Sequence, residues 1–277
     1  MTTPIAPATS ATERATPAGR RARILAVTSG KGGVGKTFMS ANLAAALTRQ
    51  GERVLVLDAD LGLANLDVVL NLYPKVTLHD VFTGKCTLQE AILPAPGGFS
   101  VILAGSGLVE YSRLTPEVRD HLLNVLDKVA PHFDRIILDT GAGISDVVLY
   151  TVSLADDVLI VATPEPTSLT DAYATIKVLA GQQQRRVLQL IVNQVGRAGE
   201  GRVIRGQLQQ VVDRFVTPAL PEGSAPVKLE LLGEIPSDPM VREAVRRRQL
   251  LSEVMPGADA AKAVAVAATR LREQNGG

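Results

Sequence analysis

The chain has no tryptophan, and only 3% of its 277 residues are aromatic. That scarcity removes the stacking platforms on which single-strand nucleic-acid binders depend. A lone cysteine, Cys86, excludes an internal disulfide and any cysteine-only metal cage. No stretch approaches the ~18 continuous apolar residues of a membrane-crossing helix. Charges nearly cancel, with 29 Lys+Arg against 28 Asp+Glu, so no global field selects nucleic acid or acidic partners. Met1 to Arg20 is rich in Thr, Ala, Pro and Ser and has no apolar core of the secretory kind. It predicts a disordered tail (1–20) and a cytoplasmic protein.

What is present is ordinary for a globular domain: 46% hydrophobic and 21% charged residues, in a chain long enough to bury a large core. Apolar, β-rich runs at 23–28, 53–58, 99–104, 135–139, 157–162, 187–193 and 229–235 alternate with helical patterns. The helices are expected at 36–50, 116–130, 144–153, 167–180, 200–215 and 238–248. Near-continuous apolar strands separated by helices predict an α/β fold, doubly wound, with a mostly parallel sheet flanked by helices. Right-handed crossovers then gather the C-terminal strand ends on one side, where ligands bind. Residues 61–98 break the alternation and read as short helices on one face, a site for dimer or partner contacts. Residues 21–277 are expected to form a single domain, with 257–275 a C-terminal helix that covers the sheet.

The most specific signal is Ser29-Gly30-Lys31-Gly32-Gly33-Val34-Gly35-Lys36-Thr37, which fits the phosphate-loop pattern G-x-x-x-x-G-K-[ST]. It follows the β-like run Ile24 to Thr28 and precedes the helix former Ala41 to Leu47, the setting this motif requires. Glycines let successive N–H groups point at phosphate oxygens, and the helix N-terminus adds a positive dipole end. Lys36 would neutralise the β- and γ-phosphates, and the Thr37 hydroxyl would hold Mg²⁺. This is a P-loop NTPase pattern.

Two further strand ends carry carboxylates. Val54-Leu55-Val56-Leu57-Asp58-Ala59-Asp60 ends on two aspartates, which are costly at a buried strand tip unless they face a cation or a reacting water. Arg135-Ile136-Ile137-Leu138-Asp139-Thr140-Gly141-Ala142-Gly143 is a Walker B arrangement, placing Asp139 on Mg²⁺ through water. The glycines behind Asp139 suit a flexible switch segment. No guanine-reading N-K-x-D element follows a strand, which favours ATP over GTP.

With Lys31 at its second position, the loop is a deviant Walker A motif, and the chain resembles the MinD/ParA group of dimerising ATPases. The resemblance implies ATP and Mg²⁺ as cofactors, and nucleotide contacts from Gly30, Lys31, Gly32, Gly33, Val34, Gly35, Lys36, Thr37 and the residue at 38. It implies that Lys31 reaches across a dimer interface to the partner's nucleotide, forming a homodimer when ATP is bound. Asp60 becomes the catalytic carboxylate beside Lys31 and Lys36, and Asp58 a metal-side partner of Thr37 and Asp139. Asn193 would read the adenine edge and Pro236 would flank the base; a capping role on the following turn is the other reading of Asn193. Phe38 stands where many members carry a hydroxyl that can touch the α-phosphate.

Within the group, Asp58 to Asp67, Pro164-Glu165-Pro166-Thr167-Ser168 and Gly233-Glu234-Ile235-Pro236-Ser237-Asp238 resemble flagellar-number regulators of the FlhG/FleN type. That branch implies a slow ATPase switch that antagonises a FleQ-type transcriptional activator and acts with an FlhF-type GTPase. The D-Q-A-x-x-L element with which some members stimulate that GTPase does not occur in Met1–Arg20. The alternative is a MinD/ParA-type spatial organiser of division or DNA partition, at the inner membrane or cell pole. Peripheral membrane contact would use the C-terminal helix, but Ala260 to Arg272 is small-sided and would bury little area in lipid. Arg242, Arg246, Arg247 and Arg248 could meet DNA phosphates, but Glu243 interrupts them, and sequence-specific nucleic-acid binding is not expected. Iron–sulfur carriers of the same fold need two cysteines per subunit.

Overall fold

Strand β1 (Arg23–Ser29) lies at the centre of an eight-stranded sheet, because its residues are apolar on both faces. Ile24 and Ala26 pack into one hydrophobic cluster and Leu25 and Val27 into the other. The computed structural model describes residues 21–61, 65–105 and 114–274. The tail expected over 1–20 and the last residue of the C-terminal helix expected to end at 275 lie outside them.

Along the chain, β1 is followed by α1 (Lys36–Arg49), β2 (Val54–Ala59), α2 (Leu66–Leu70), α3 (Leu78–Phe82), α4 (Leu88–Ala91), β3 (Leu93–Pro94) and β4 (Ser100–Ile102). Then come α5 (Pro116–Val129), β5 (Arg135–Ala142), α6 (Asp146–Ser153), β6 (Asp157–Ala162) and α7 (Pro166–Gln182). The chain continues through β7 (Val187–Val195), α8 (Glu200–Phe215), β8 (Lys228–Pro236), α9 (Pro239–Arg246), α10 (Leu251–Val254) and α11 (Asp259–Glu273). The strand order is β3-β4-β2-β5-β1-β6-β7-β8, parallel except where β3 pairs antiparallel with β4. Helices α5 to α8 cover one face; α1, α2, α9 and α11 cover the other.

Four details depart from the expected pattern. The segment 61–98 does carry short helices, but on both faces, since α2 packs with α1 and α3 packs with α5, and it also holds the edge strand β3, too short for any periodicity to reveal. Helix α6 starts at Asp146 because the Ser145 hydroxyl caps it, accepting from the Val148 amide at 3.4 Å. Helix α9 stops at Arg246 because Arg248 adopts a left-handed φ of 53°, and α10 follows as a separate turn. Finally, β5 runs on to Ala142. Thr140 pairs with Ala59 of β2 and Ala142 with Ser29 of β1, and Thr140 Oγ1 donates to the Val27 carbonyl at 3.0 Å, so 140–142 is strand where the glycines suggest a flexible segment.

The C-terminal helix α11 is cover, as its composition suggests. Ala260, Ala261, Val264, Ala267, Ala268 and Leu271 are buried, and a Cβ added at Gly233 of β8 would sit 3.1 Å from the Ala267 Cβ. Small side chains let the helix approach the sheet closely, and its apolar face is spent there. No helix among the described residues is long and apolar enough to cross a membrane.

Candidate functional site

The strand order brings the chemistry together. β2, β5 and β1 are consecutive, and Asp58 is in register with Asp139, which is in register with Val27 at the mouth of the phosphate loop. The loop between β1 and α1 therefore lies beside two carboxylates that are 81 residues apart in sequence.

Gly35 caps α1 with φ +96°, a conformation that glycine adopts without steric cost. Gly30 is needed for space, since a Cβ there would fall 2.2 Å from the Asp171 carbonyl oxygen of α7. Gly32 and Gly33 face open space, and Val34 is buried beneath the loop. A cleft of about 960 Å³ opens above, lined by Gly32, Gly33, Gly35, Lys36, Thr37, Phe38 and Asp60. Its far walls come from Asn65 and Val69 near α2, Thr140 to Ala142 of β5, Ser145, Val147 and Val148 near α6, and Val245 of α9.

Beneath the cleft, Lys36 Nζ donates to Ser29 Oγ at 2.9 Å, and Ser29 Oγ donates to the Lys31 carbonyl at 2.7 Å. Burial holds the Lys36 ammonium below the usual lysine range, against the attraction of Asp139 and Asp60. Asp139 accepts from Ser40 Oγ at 2.8 Å and is also held by the Thr37 hydroxyl. Its burial pushes the carboxyl up to about 6, although those two hydrogen bonds and Lys36 pull it down. Asp58 is pushed well above the usual carboxylate range, first by burial and then by Asp139 beside it. Its Oδ1 accepts from the Asp60 amide at 3.2 Å, and its Oδ2 makes no hydrogen bond among the described residues. Asp60 itself reaches the cleft against Gly141, where a Cβ would stand 3.4 Å from its Cγ.

This donor set fits a Mg²⁺-nucleotide. A buried carboxylate oxygen without a hydrogen-bond partner next to a second buried carboxylate suits a cation, and a cradle of glycines, a lysine and a helix N-terminus suits an anion. Thr37 and Asp139 could hold the metal, with Asp58 beside Asp139, and Asp60 lines the cleft together with the loop.

The other candidate residues make contacts of a different kind. Lys31 turns away to the start of α7, donating to Glu165 Oε2 at 2.6 Å and Thr167 Oγ1 at 2.9 Å. Phe38 is buried in the core as well as lining the cleft, so its ring supplies packing where a hydroxyl would supply a phosphate contact. Pro236 ends β8 opposite Val195 and does not line the cleft. Asn193, expected to read the base, contacts the loop. Its Nδ2 donates to the Val34 carbonyl at 2.8 Å and its Oδ1 accepts from the Gln194 amide at 3.0 Å, nearer to the capping alternative.

Sequence reasoning missed Ser29, Ser40, Glu165 and Thr167 as partners of the loop and of Asp139. Only the fixed spacing of Ser40 three residues after Thr37, on the same helix face, could have pointed to one of them. The basic run is largely self-contained: Glu243 accepts from Arg246 Nη2 at 2.6 Å and Arg247 Nε at 2.5 Å.

Comparison with known proteins places these residues in context. A family model described as ParA, NUBPL iron-transfer P-loop NTPase, matches residues 20–272. The chain is 41% identical over 249 residues to the antiactivator FleN of Pseudomonas aeruginosa, spanning 90% of this chain and 86% of that one. It is 36% identical over 236 residues to the flagellum site-determining protein YlxH of Helicobacter pylori, spanning 84% and 76%. Among solved structures, the septum site-determining protein MinD of Pyrococcus horikoshii, complexed with Mg-ADP, superposes with a TM-score of 0.73 at 28% identity. That match covers 92% of this chain and 98% of that one.

Proposed function

This chain belongs to the MinD/ParA family of P-loop NTPases, in its FlhG/FleN branch, and on that premise we propose that it is an ATP-driven dimerisation switch that restrains flagellar number. The observation that carries the switch is the cleft itself, where Asp60 faces the phosphate loop while Asp58 and Asp139 lie buried beneath it. Likeness to FleN, an antiactivator, supports the flagellar assignment. On this reading the protein antagonises a FleQ-type transcriptional activator and acts with an FlhF-type GTPase.

The chain's own residues divide the work. When bound, Mg²⁺ would offset charge on the β- and γ-phosphates. Gly30 to Thr37 bind the phosphates through backbone amides, and Lys36 leaves Ser29 to pair with them. Thr37 and Asp139 hold the metal side, Asp58 compensates from behind, and Asp60 orients water for in-line attack. Lys31 leaves Glu165 to complete the partner subunit's site, so closure of the dimer and assembly of the site are one event.

A second reading, a spatial organiser of division or partition, is favoured by the likeness to MinD structures. Deleting the gene and counting flagella by electron microscopy separates the two. Extra flagella with normal division are expected. Normal flagella with minicells or anucleate cells would move the protein to the spatial-organiser class and leave the ATPase chemistry standing.

A further inference from the structure

We propose that the cavity between the α3–α4 turn and α5 is a second binding site, and that it takes a small organic acid, a phenyl-sized apolar body carrying one carboxylate. The cavity measures about 290 Å³, at the small end of the range for ligand pockets. None of the residues that line it lines the phosphate-loop cleft, so the two sites are separate.

The two sides of the cavity follow from local sequence. Helix α5 buries Val118, Leu122, Val125, Leu126 and Val129 along one stripe. His121, Asn124 and Lys128, spaced i, i+3 and i+7, fall together at the edge of that stripe and form one rim. Opposite them, two capping boxes fold the chain into separate turns: Asp80 closes α3 on Thr77, and Glu90 closes α4 on Thr87. Cys86 and Thr87, between those turns, form the other rim. The floor is apolar, made by Val81, Phe82, Leu88 and Val125, with the Phe82 ring 4.8 Å from that of His121, centroid to centroid.

The rims select the charge. No carboxylate lines the cavity among the described residues, while Lys128 brings an ammonium that makes no ion pair among them. Beside it stand the Asn124 amide and the His121 imidazole, whose Nδ1 is buried and has no hydrogen-bond partner among the described residues. A buried polar atom of that kind calls for a partner. The carboxylates on the α3–α4 side are already engaged. Asp80 Oδ2 accepts from the Thr77 amide at 2.9 Å and hydroxyl at 3.0 Å, and Glu90 Oε2 accepts from the Thr87 amide and hydroxyl, both at 2.7 Å. Burial, then Asp80 and Glu90, push the Cys86 thiol up, so it stays neutral and adds no negative charge. A cationic ligand would therefore meet Lys128 with no carboxylate to receive it. One ammonium among neutral donors matches a single negative charge, which suits a carboxylate better than a phosphate dianion. The apolar floor takes the hydrocarbon.

Cys86 is the chain's single cysteine, so its alkylation reports occupancy of this cavity at one place. The full chain is treated with the uncharged reagent N-ethylmaleimide at fixed pH and ionic strength, and the modified fraction is followed by intact mass. The probe is phenylacetate; benzylamine is the control of opposite charge, and acetyl-aspartyl-leucine amide presents the same chemistry as a peptide. Phenylacetate, a ligand of about ten non-hydrogen atoms, is expected to bind with a dissociation constant of about 1 mM. At about 10 mM it should then slow alkylation about tenfold. Benzylamine should leave the rate unchanged. Lys128→Gln, at an exposed position, should unfold at the wild-type midpoint and lose most of the protection. An unchanged rate with phenylacetate would overturn the proposal. Equal protection by benzylamine, or undiminished protection in Lys128→Gln, would overturn it as well, because the ammonium would not be selecting an acid. Protection by the peptide alone would make the cavity a docking point for a protein and remove the small-acid assignment.

Discussion

Lys31 Nζ stands 2.6 Å from Glu165 Oε2, so the lysine that distinguishes this loop is held by its own chain at the start of α7. Thr167 Oγ1 accepts from the same ammonium at 2.9 Å. The carboxylate is well exposed, at 62%, and the ammonium is at 36%, so the pair contributes little to fold stability. Its effect is on where the lysine spends its time. A cation engaged in cis must be released before it can act in trans.

Glu165→Gln removes the competing carboxylate and keeps the shape. We expect the variant to dimerise at lower ATP concentration, by about two- to five-fold, with no change in the unfolding midpoint. Sedimentation velocity across an ATP titration reads this directly. Weaker dimerisation would place Glu165 in the dimer contact, on the partner's lysine.

Asp60→Ala should bind ATP normally, accumulate as the ATP-bound dimer, and lose turnover by a factor of order a hundred or more. Lys36→Ala should lose nucleotide binding altogether, because it removes the buried cation of the site. Phosphate release and gel filtration, run on both variants, distinguish a trapped switch from an empty one. A hydrolysing Asp60→Ala protein would take Asp60 out of the catalytic role.

The pH dependence of the ligand-free fold follows from Asp139. Its carboxyl is raised to about 6 in the folded chain by burial, from an unfolded value near 3.8. The folded state therefore binds the proton more tightly, and the stability this gives is present below about pH 4 and lost as pH rises through about 6. Asp139 alone accounts for about 3 kcal/mol of that loss, and Asp58 acts in the same direction. Urea unfolding from about pH 4 to 7.5 without Mg²⁺ or nucleotide should show the declining limb. Asp139→Asn should make it shallower and leave the part that belongs to Asp58, and Mg²⁺ with ATP should suppress it in the wild type by stabilising both ionised carboxylates. A flat profile for the ligand-free wild type would mean that the two carboxylates are solvated.

Much of this architecture can be read locally, and what cannot has a common cause. Strand 157–162 was legible to the residue because Val158 to Ala162 is a continuous apolar run opened by Asp157. Helix 200–215 was equally plain from its spacing of Ile204, Leu208 and Val212. The loop, Asp58, Asp60 and Asp139 stand out as candidates because each sits inside its own motif, although Asp139 lies within β5 rather than at its end. Glu165 as the partner of Lys31, and Val34 as the partner of Asn193, depend on which strands lie side by side, and no local pattern encodes that order. The extension of β5 through Thr140 was hidden for a related reason. Glycine-rich sequence reads as a loop, yet the Val27 carbonyl of the adjacent strand gives Thr140 a partner.

Ser40 supplies the last prediction. It lies one turn beyond Thr37 on α1, fully buried, and its Oγ donates to Asp139 Oδ1 at 2.8 Å. With Thr37 on the same carboxylate, Asp139 is fixed by two hydroxyls from one helix, and on the proposed reading they hold it in the orientation that serves the metal. Ser40→Ala loses one bond and no charge, so nucleotide binding in EDTA should be unchanged. The Mg²⁺ concentration needed for half-maximal ATPase should rise about tenfold or more, in line with about 1.5 kcal/mol or more for a hydrogen bond to a charged group. Thr restores the hydroxyl, and Ser40→Thr should recover most of the Mg²⁺ response if the methyl is accommodated against α1. Were Ser40→Ala to weaken binding equally with and without Mg²⁺, the hydroxyl would be supporting the helix, and the orientation of Asp139 would have to come from Thr37 alone.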